Sequence, residues 1–390
     1  MLLLQPWLSA EGHPAQSTLS IARTLSQYIP FELMTFRVRE GDHADDVINQ
    51  LRNFAPLHDF VSVESVDSFS SIGAGSSLLL EEALSRSREI GKSCIAVFLD
   101  ASIQHLARFS FFQNLRPLYR IGLIELHGPE EFDKCKITNV REVARYSYLR
   151  RFLMRDNVIL GVRTDELRQA WCMSGLIKEK RCRVVPNLEV ASYSPYYKDI
   201  NTDNPPVERS NLAFSIVGQI RDTKNINRIV QIFNQNTNLG FLHISGFLRM
   251  KDFPEGIEPH NAFEKPRIIC DFRMLSEKEM INTLKRSHYS LMLYCDIDTR
   301  MESSMLYTSV AAGVPVIACN RGWLARMVGN NGLGYLVDPY DSSAILNRLR
   351  NVALPGTKEY ENFLVNIKGF LESLGPDHMV PRFLETFDYL

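Results

Sequence analysis

Short apolar runs alternate with helix-period segments along almost the whole chain, and no other feature restricts the fold as much. Over the first 187 residues the runs "MLLLQPW" (1–7), 31–38, 60–66, "SCIAVFLD" (93–100), 120–127, 157–162 and 182–187 read as strands. Helical periodicity lies between many of them, at 16–28, 46–55, 74–90, 137–155 and 164–175. Strands separated by helices do not pair as hairpins. They form a parallel sheet with helices on both faces, which is why the runs are continuously apolar rather than alternating. The pattern restarts after a polar, Pro- and Asn-containing stretch (193–211), with strands at 212–220, 240–246, 266–272, 289–296, 314–319 and 334–338. Helices are expected at 224–235, 276–287, 303–312, 321–330 and 342–353, and two more, 358–373 and 378–388, close the chain. The expected architecture is α/β, with two doubly wound halves joined by a linker. An N-terminal domain covers 1–190, a linker 191–210 and a C-terminal domain 211–375, and the last helix (376–390) is a candidate to pack back on the first domain.

The bulk properties agree with a chain of two ordinary domains and exclude several classes. At 390 residues the chain is long for a single core. Lys plus Arg (44) balances Asp plus Glu (45), so overall charge gives no reason to expect nucleic acid, and any anion site must be local. The seven cysteines are scattered without zinc-ligand spacing, which reads as buried free thiols. "MLLLQPWLSAEGHP" has no basic leader region and reads as a first buried strand, and no run reaches the length of a membrane span. A cytoplasmic protein is the expectation.

In open α/β sheets, ligands bind beyond the carboxyl ends of the strands, so chemistry is sought in the loops that follow them. After the first strand of the second half comes "VGQIRDTKNINRIV". Gly218 lets the chain turn, and Arg221 and Lys224 stand where a helix begins, a pairing suited to phosphate. A solvated basic loop is the plainer alternative. After 289–296 comes "IDTRMESSMLYTSVAAGVPVIA", where Ser303 or Ser304 can cap a helix that ends at Gly313. Met305, Leu306, Val310 and Ala311 read as core. "CDID" (295–298) contains Asp-x-Asp, a spacing able to share a divalent cation, although the two Asp can equally anchor Arg300.

The ordered series "VVPN" (184–187), "VGQIRDTKN" (217–225), "SVAAGVPVIACNRGWLARMV" (309–328) and "GLGYLVDPYD" (332–341) resembles the C-terminal half of GT-B glycosyltransferases. The similarity is greatest to the large retaining family of bacterial glycosyl and mannosyl transferases. "EGHPAQSTLSIARTLSQ" (11–27), "ELHG" (125–128) and 150–171 are similar to parts of that family's acceptor half. The resemblance implies two Rossmann-like domains facing across a cleft, the donor nucleotide sugar held by the second and the acceptor by the first. It implies no metal and no cofactor beyond the nucleotide-sugar co-substrate.

The expected donor set is Gly218, Arg221, Lys224, Ser303, Ser304 and Thr308: Lys224 matches the family's lysine, Arg221 would substitute for its arginine from two positions later, Ser303 and Ser304 come from the helix start, and Thr308 stands at a glutamate position. His127 and Glu302 would orient the sugar, and Glu11, Gly12 and His13 would meet the acceptor. A core histidine bonded to backbone is the alternative for His127. Asp100 is a candidate base if the anomeric centre is inverted; if it is retained, the leaving phosphate can take that part.

Three departures stand out. Gln219 occupies the place of the family's arginine, and the paired-glutamate positions fall on Arg300 and Thr308. Glu302 is the only carboxylate between them. Segment 141–157 mixes five Arg with Tyr146, Tyr148, Leu149, Phe152 and Leu153. It reads either as packing on the sheet or as a peripheral contact with the inner face of a membrane.

The expected activity is transfer of a sugar, as by a hexosyltransferase, from a nucleotide-diphosphate sugar to a hydroxyl of a saccharide, glycolipid or other glycoconjugate in bacterial polysaccharide biosynthesis. The rivals are an epimerase or phosphorylase of the same fold and a catalytically inactive partner subunit.

Overall fold

A computed structural model describes residues 1–6, 8, 13–38, 45–62, 68–90, 94–99, 102–110, 113–129, 140–202, 207–248, 266–295 and 298–390. The chain forms two compact units, Met1–Ser192 together with Pro376–Leu390, and Tyr193–Gly375.

The first unit holds β1 (Leu2–Gln5), β2 (Glu32–Val38), β3 (Leu57–Ser62), β4 (Cys94–Phe98), β5 (Leu118–Glu125), β6 (Val158–Val162) and β7 (Cys182–Val184), in the order β3-β2-β1-β4-β5-β6-β7. The second holds β8 (Ala213–Val217), β9 (Phe241–Ser245), β10 (Ile268–Asp271), β11 (Tyr289–Met292), β12 (Val316–Cys319) and β13 (Gly334–Val337), in the order β10-β9-β8-β11-β12-β13. Every pairing is parallel. Central strands such as β6 and β8 are buried at each position, as helices on both faces require. Each expected strand has a counterpart, with β3 starting at Leu57 rather than at 60.

In each sheet the order reverses once, between β1 and β4 in the first and between β8 and β11 in the second. The loops that follow such a pair of strands open a crevice at the carboxyl edge, where doubly wound folds bind ligands.

The helices of the first unit are α1 (His13–Ser26), α2 (Asp45–Leu51), α3 (Ser68–Ile90), α4 (Ile103–Ser110), α5 (Val140–Leu153) and α6 (Asp165–Met173). Those of the second are α7 (Ile226–Gln235), α8 (Glu277–Leu284), α9 (Ser304–Ala311), α10 (Gly322–Asn331), α11 (Ser342–Arg350) and α12 (Lys358–Ser373). The last, α13 (Pro376–Thr386), returns to the first unit.

Local chemistry sets several boundaries. The Thr164 hydroxyl accepts the Leu167 N–H at the start of α6, Ser276 and Glu279 form a reciprocal capping box on α8, and Asp341 accepts two N–H groups at the start of α11. Helix α4 was not expected from the sequence. Its buried Ile103, Leu106, Ala107 and Ser110 keep helical spacing, but over only two turns.

The last helix closes the first unit through packing and charge. The Phe387 ring lies against Gly122 so closely that a Cβ there would sit 2.5 Å from it. The Asp388 carboxylate accepts from Arg120 Nε (2.7 Å) and Arg183 Nη1 (2.6 Å).

The expected linker (191–210) associates in part with the second unit. From Tyr193 the chain belongs to the second unit, in a 3₁₀ run (Leu188–Asp199), and Arg209 donates to the Val352 carbonyl at 3.1 Å. The stretch is poor in aliphatic residues, yet Tyr193 is buried (8% exposed) and its hydroxyl lies 3.5 Å from Thr308 Oγ1.

Helix α5 buries Leu149, Phe152 and Leu153 in the core of the first unit, and half-buried Tyr146 packs against it, so this face of 141–157 rests on the sheet. Among the described residues no helix is long and apolar enough to cross a membrane.

Candidate functional site

The loops at the carboxyl edge of β8 and β11 converge on one glycine. Gly218 directly follows β8 at φ +92°, a conformation L side chains rarely adopt, and its N–H donates to the Ser245 carbonyl at 3.0 Å. A Cβ on Gly218 would meet Met305 Sδ at 2.8 Å and Lys224 Nζ at 3.5 Å. The start of α9 and the ammonium of Lys224 therefore border the same point. Gly246, after β9, is locked against it, because a Cβ there would fall 2.0 Å from the Gly218 carbonyl oxygen.

Lys224 ends a short 3₁₀ turn (Asp222–Lys224) and reaches back to donate to the Val217 carbonyl at 2.6 Å. Burial, and secondarily the Arg221 cation, lowers its ammonium to about 7. Arg221 is exposed, and its guanidinium donates to the Gln219 side-chain oxygen, so two departures of the loop are engaged with each other. Asn225 then takes the left-handed conformation (φ 61°), which Asn tolerates better than other residues carrying a Cβ, and α7 begins. The Asn225 amide and Arg228 both donate to the Pro339 carbonyl at 2.6 Å, tying the loop after β13 to this turn.

The β11 side is anchored equally firmly. The Cys295 N–H donates to the Thr223 carbonyl at 2.9 Å. Half-buried Tyr294 places its hydroxyl 3.3 Å from Ser303 Oγ, and burial raises its pKa in spite of that bond. Ser303 holds the N-cap position of α9 but makes no side-chain cap bond, and exposed Ser304 is the first helical residue. The Ser309 and Ser290 hydroxyls, 3.0 Å apart, fix α9 to β11. Asp298 accepts from the Arg300 backbone N–H (3.0 Å), Nε (2.8 Å) and Nη2 (2.8 Å). The Thr299 carbonyl receives the Trp323 N–H at 2.8 Å and sits 2.0 Å from where a Gly322 Cβ would be. Gly322 therefore lets α10 begin against this loop.

Backbone N–H groups of a helix start, a buried ammonium and an exposed guanidinium thus gather at the switch point of the second sheet. Chemically, that set can hold and neutralise a phosphate chain.

Two of the expected site residues, Thr308 and Glu302, have their side chains engaged within their own segment, and Asp298 anchors Arg300 as the alternative reading had it. Thr308 is 2% exposed, and its hydroxyl bonds the Ser304 carbonyl one turn back (3.2 Å), an intrahelical bond that competes with any outside partner. The Glu302 carboxylate accepts from the hydroxyl of Tyr307, whose ring packs against Phe370 (centroids 6.2 Å) and Trp323 (6.0 Å). Asp298 of the Asp-x-Asp pair is committed to Arg300, while Asp296 lies outside the described residues. Among the described residues no group of three or more His, Cys, Asp or Glu could hold a metal.

In the first unit His127 follows β5 and is exposed, so it is not a core histidine. Its N–H donates to Glu125 Oε1 (3.0 Å) and its carbonyl accepts from Trp171 Nε1 (2.9 Å), which fixes its backbone at the carboxyl edge. Glu11, Gly12 and Asp100 lie outside the described residues; they follow β1 and β4, the strands that flank the first sheet's switch point. His13 begins α1.

Sequence reasoning missed Tyr294 and took Met305 for core, whereas Met305 abuts Gly218. The strand-to-loop position of Tyr294 was the available signal.

No family model and no curated protein matches the chain. Solved structures do. Anabaena HepE, crystallised with UDP, superposes with a TM-score of 0.67 at 12% identity over 100% of both chains. A glycosyltransferase from Rickettsia africae gives 0.65 at 12% identity over 99% of this chain and 97% of its own. The UDP-GlcNAc 2-epimerase of Neisseria meningitidis, bound to UDP-GlcNAc, gives 0.55 at 13% identity over 99% and 100%. With two doubly wound parallel-sheet units and this likeness along its whole length, the chain has the GT-B fold.

Proposed function

We propose that this protein is a glycosyltransferase that moves a sugar from a nucleotide-diphosphate sugar to a hydroxyl of a saccharide, glycolipid or other glycoconjugate. The observation that carries the reading is the convergence on Gly218 of the Lys224 ammonium and the start of α9. The diphosphate lies against that point. As the bond to the sugar breaks, Lys224, Arg221 and the free N–H groups near Ser303 and Ser304 take up the developing charge, which is electrostatic stabilisation of a departing group. Cations and helix dipole do this without a metal. Because HepE and the neisserial epimerase were crystallised with UDP and UDP-GlcNAc, uridine nucleotides are the first donors to try.

Glu302 orients the donor sugar after release from Tyr307, and His127 is a second candidate for that role. Glu11, Gly12 and His13 meet the acceptor. Asp100 takes the acceptor proton if the reaction inverts configuration. The finer reading is a hexosyltransferase of bacterial polysaccharide biosynthesis, acting in the cytoplasm, with the outer face of 141–157 available to the inner membrane surface.

One alternative has its own support. Glu302 held by Tyr307, Thr308 turned into its helix and Arg300 bound by Asp298 together favour a catalytically inactive subunit. Incubating the purified chain with UDP-glucose and measuring UDP release separates the two. Donor hydrolysis that disappears in Lys224→Ala supports the enzyme; nucleotide binding without any turnover supports the inactive subunit; neither binding nor turnover overturns the donor site.

A further inference from the structure

The amino-terminal edge of the first sheet carries a basic cavity that the transfer reaction does not use. It has a volume of about 560 Å³ and lies before β5 and β6, lined among others by Leu115, Arg116, Tyr119, Arg151, Arg155 and Asp156. That volume falls in the range of small-molecule sites. The position is at the opposite end of the strands from the carboxyl edge, where doubly wound sheets bind substrates.

Three guanidiniums face one carboxylate here, in a protein whose whole-chain charge is −1. Asp156 is already engaged, since Lys178 Nζ lies 3.3 Å from its Oδ1. That lysine, with Arg181 and Lys180 behind it, holds the Asp156 carboxyl below its usual range, so the surroundings of the cavity are themselves basic. Among the described residues no carboxylate pairs with Arg116 or Arg155. Arg155 is half-buried, and its Nη2 donates to the Ser110 carbonyl at the end of α4 (3.0 Å). Burial, then the neighbouring Arg151, disfavours its charge. Half-buried Arg155 beside exposed Arg151 carries a cost that an anion in the cavity reduces. Leu115 and Leu118 are fully buried at its wall, and Tyr119, 48% exposed, stands at the rim with the Arg120 guanidinium 4.2 Å from its ring centroid. Guanidiniums suit a phosphate, and an aromatic ring suits the face of a sugar.

We infer that this cavity binds a phosphate monoester of sugar size, as an effector site separate from the donor site. The phosphate can come from a soluble sugar phosphate or from a lipid headgroup. The cavity is open to solvent, so either source can reach it, and the test separates the two.

The test is calorimetric titration of the full chain at low salt with glucose 6-phosphate and inorganic phosphate, with glucose as control. It is run on the wild type, Arg116→Gln/Arg151→Gln and Lys224→Ala. Sedimentation with phosphatidylglycerol vesicles runs in parallel. Glucose 6-phosphate is expected to bind one per chain where glucose does not. Affinity should fall about tenfold or more in the double variant and stay unchanged in Lys224→Ala. Arg155→Lys, which keeps the charge but loses the fork, should weaken binding in the same direction.

The inference fails if neither the soluble phosphates nor the vesicles bind, if the double variant binds as the wild type does, or if only Lys224→Ala loses binding. Sedimentation with vesicles that the double variant loses, with no soluble phosphate bound, overturns the soluble ligand and assigns the phosphate to a lipid.

Discussion

The two units share a doubly wound parallel sheet but gather their cations at opposite ends of it. In the second unit Arg221 and Lys224 stand at the carboxyl edge, beside the strands where the order reverses. In the first, Arg116, Arg151 and Arg155 line a cavity at the amino edge. Topology explains the first arrangement, because helix starts and loop N–H groups collect at the carboxyl edge and cooperate with added cations. It does not explain the second, where the helix termini nearby among the described residues, the ends of α4 and α5, offer carbonyl oxygens.

The largest expected effect breaks the carboxyl edge of the second unit outright. Gly246 has φ +135° and no room before the Gly218 carbonyl, so Gly246→Ala must displace backbone. A loss of about 2–5 kcal/mol is expected in urea unfolding, together with loss of UDP binding. A near-neutral variant would mean the two loops are not locked as described.

The first unit has its own weak point at Asp388. Burial alone would raise its carboxyl, but bonds from Arg120 and Arg183 outweigh that and leave the pKa lowered. A carboxylate lowered by folding stabilises above its unfolded pKa, and the contribution is lost as pH falls through the folded value. Asp388→Asn should therefore cost about 1–3 kcal/mol at pH 7, and the difference from wild type should shrink in acid. A difference constant with pH would exclude the charge and leave only packing.

Lys224 makes donor affinity depend on pH. Its ammonium titrates at about 7 in the empty site, and a bound diphosphate raises that value. Below 7 the lysine is charged in both states and affinity is flat; above 7 binding must take up a proton, so affinity falls. A weakening of up to about tenfold is expected between pH 7 and pH 8, read as the UDP Kd. Glucose 6-phosphate at the arginine cavity, whose guanidiniums do not titrate there, should show no such slope above pH 7. A shared slope would merge the two sites.

The smallest effect concerns Glu302. Tyr307→Phe removes one bond to its carboxylate and should cost about 1 kcal/mol of stability, while kcat for donor hydrolysis rises if Glu302 must leave Tyr307 to act. An unchanged kcat would remove Glu302 from the reaction.

Most of the architecture was legible because it rests on hydrophobic periodicity, which is local. Both sheets follow from apolar runs, and the ends of α6 and α11 from Thr164 and Asp341. Helix α4 escaped because two turns give too little pattern, and the burial of Tyr193 escaped because it lies in a polar stretch poor in aliphatic residues. At the site, Gly218 and Lys224 were legible through the strand-glycine-cation-helix order. What Glu302 and Thr308 do was not, because it depends on which way each side chain turns. Tyr307 and the Ser304 carbonyl, both local in sequence, captured them through bonds that no spacing rule anticipates. The arginine cavity was still less visible, since Arg116 and Arg155 meet only when β5 and β6 pair.

The central claim is that a nucleotide diphosphate binds where Lys224 and the start of α9 meet Gly218. Titration calorimetry with UDP at pH 7, on the wild type and on Lys224→Ala, tests it most directly. The account predicts one UDP per wild-type chain and a Kd about 10- to 100-fold weaker in the variant, the loss expected for one charge-assisted bond. No binding of UDP or any other nucleoside diphosphate by the wild type, or equal binding by both proteins, would contradict it.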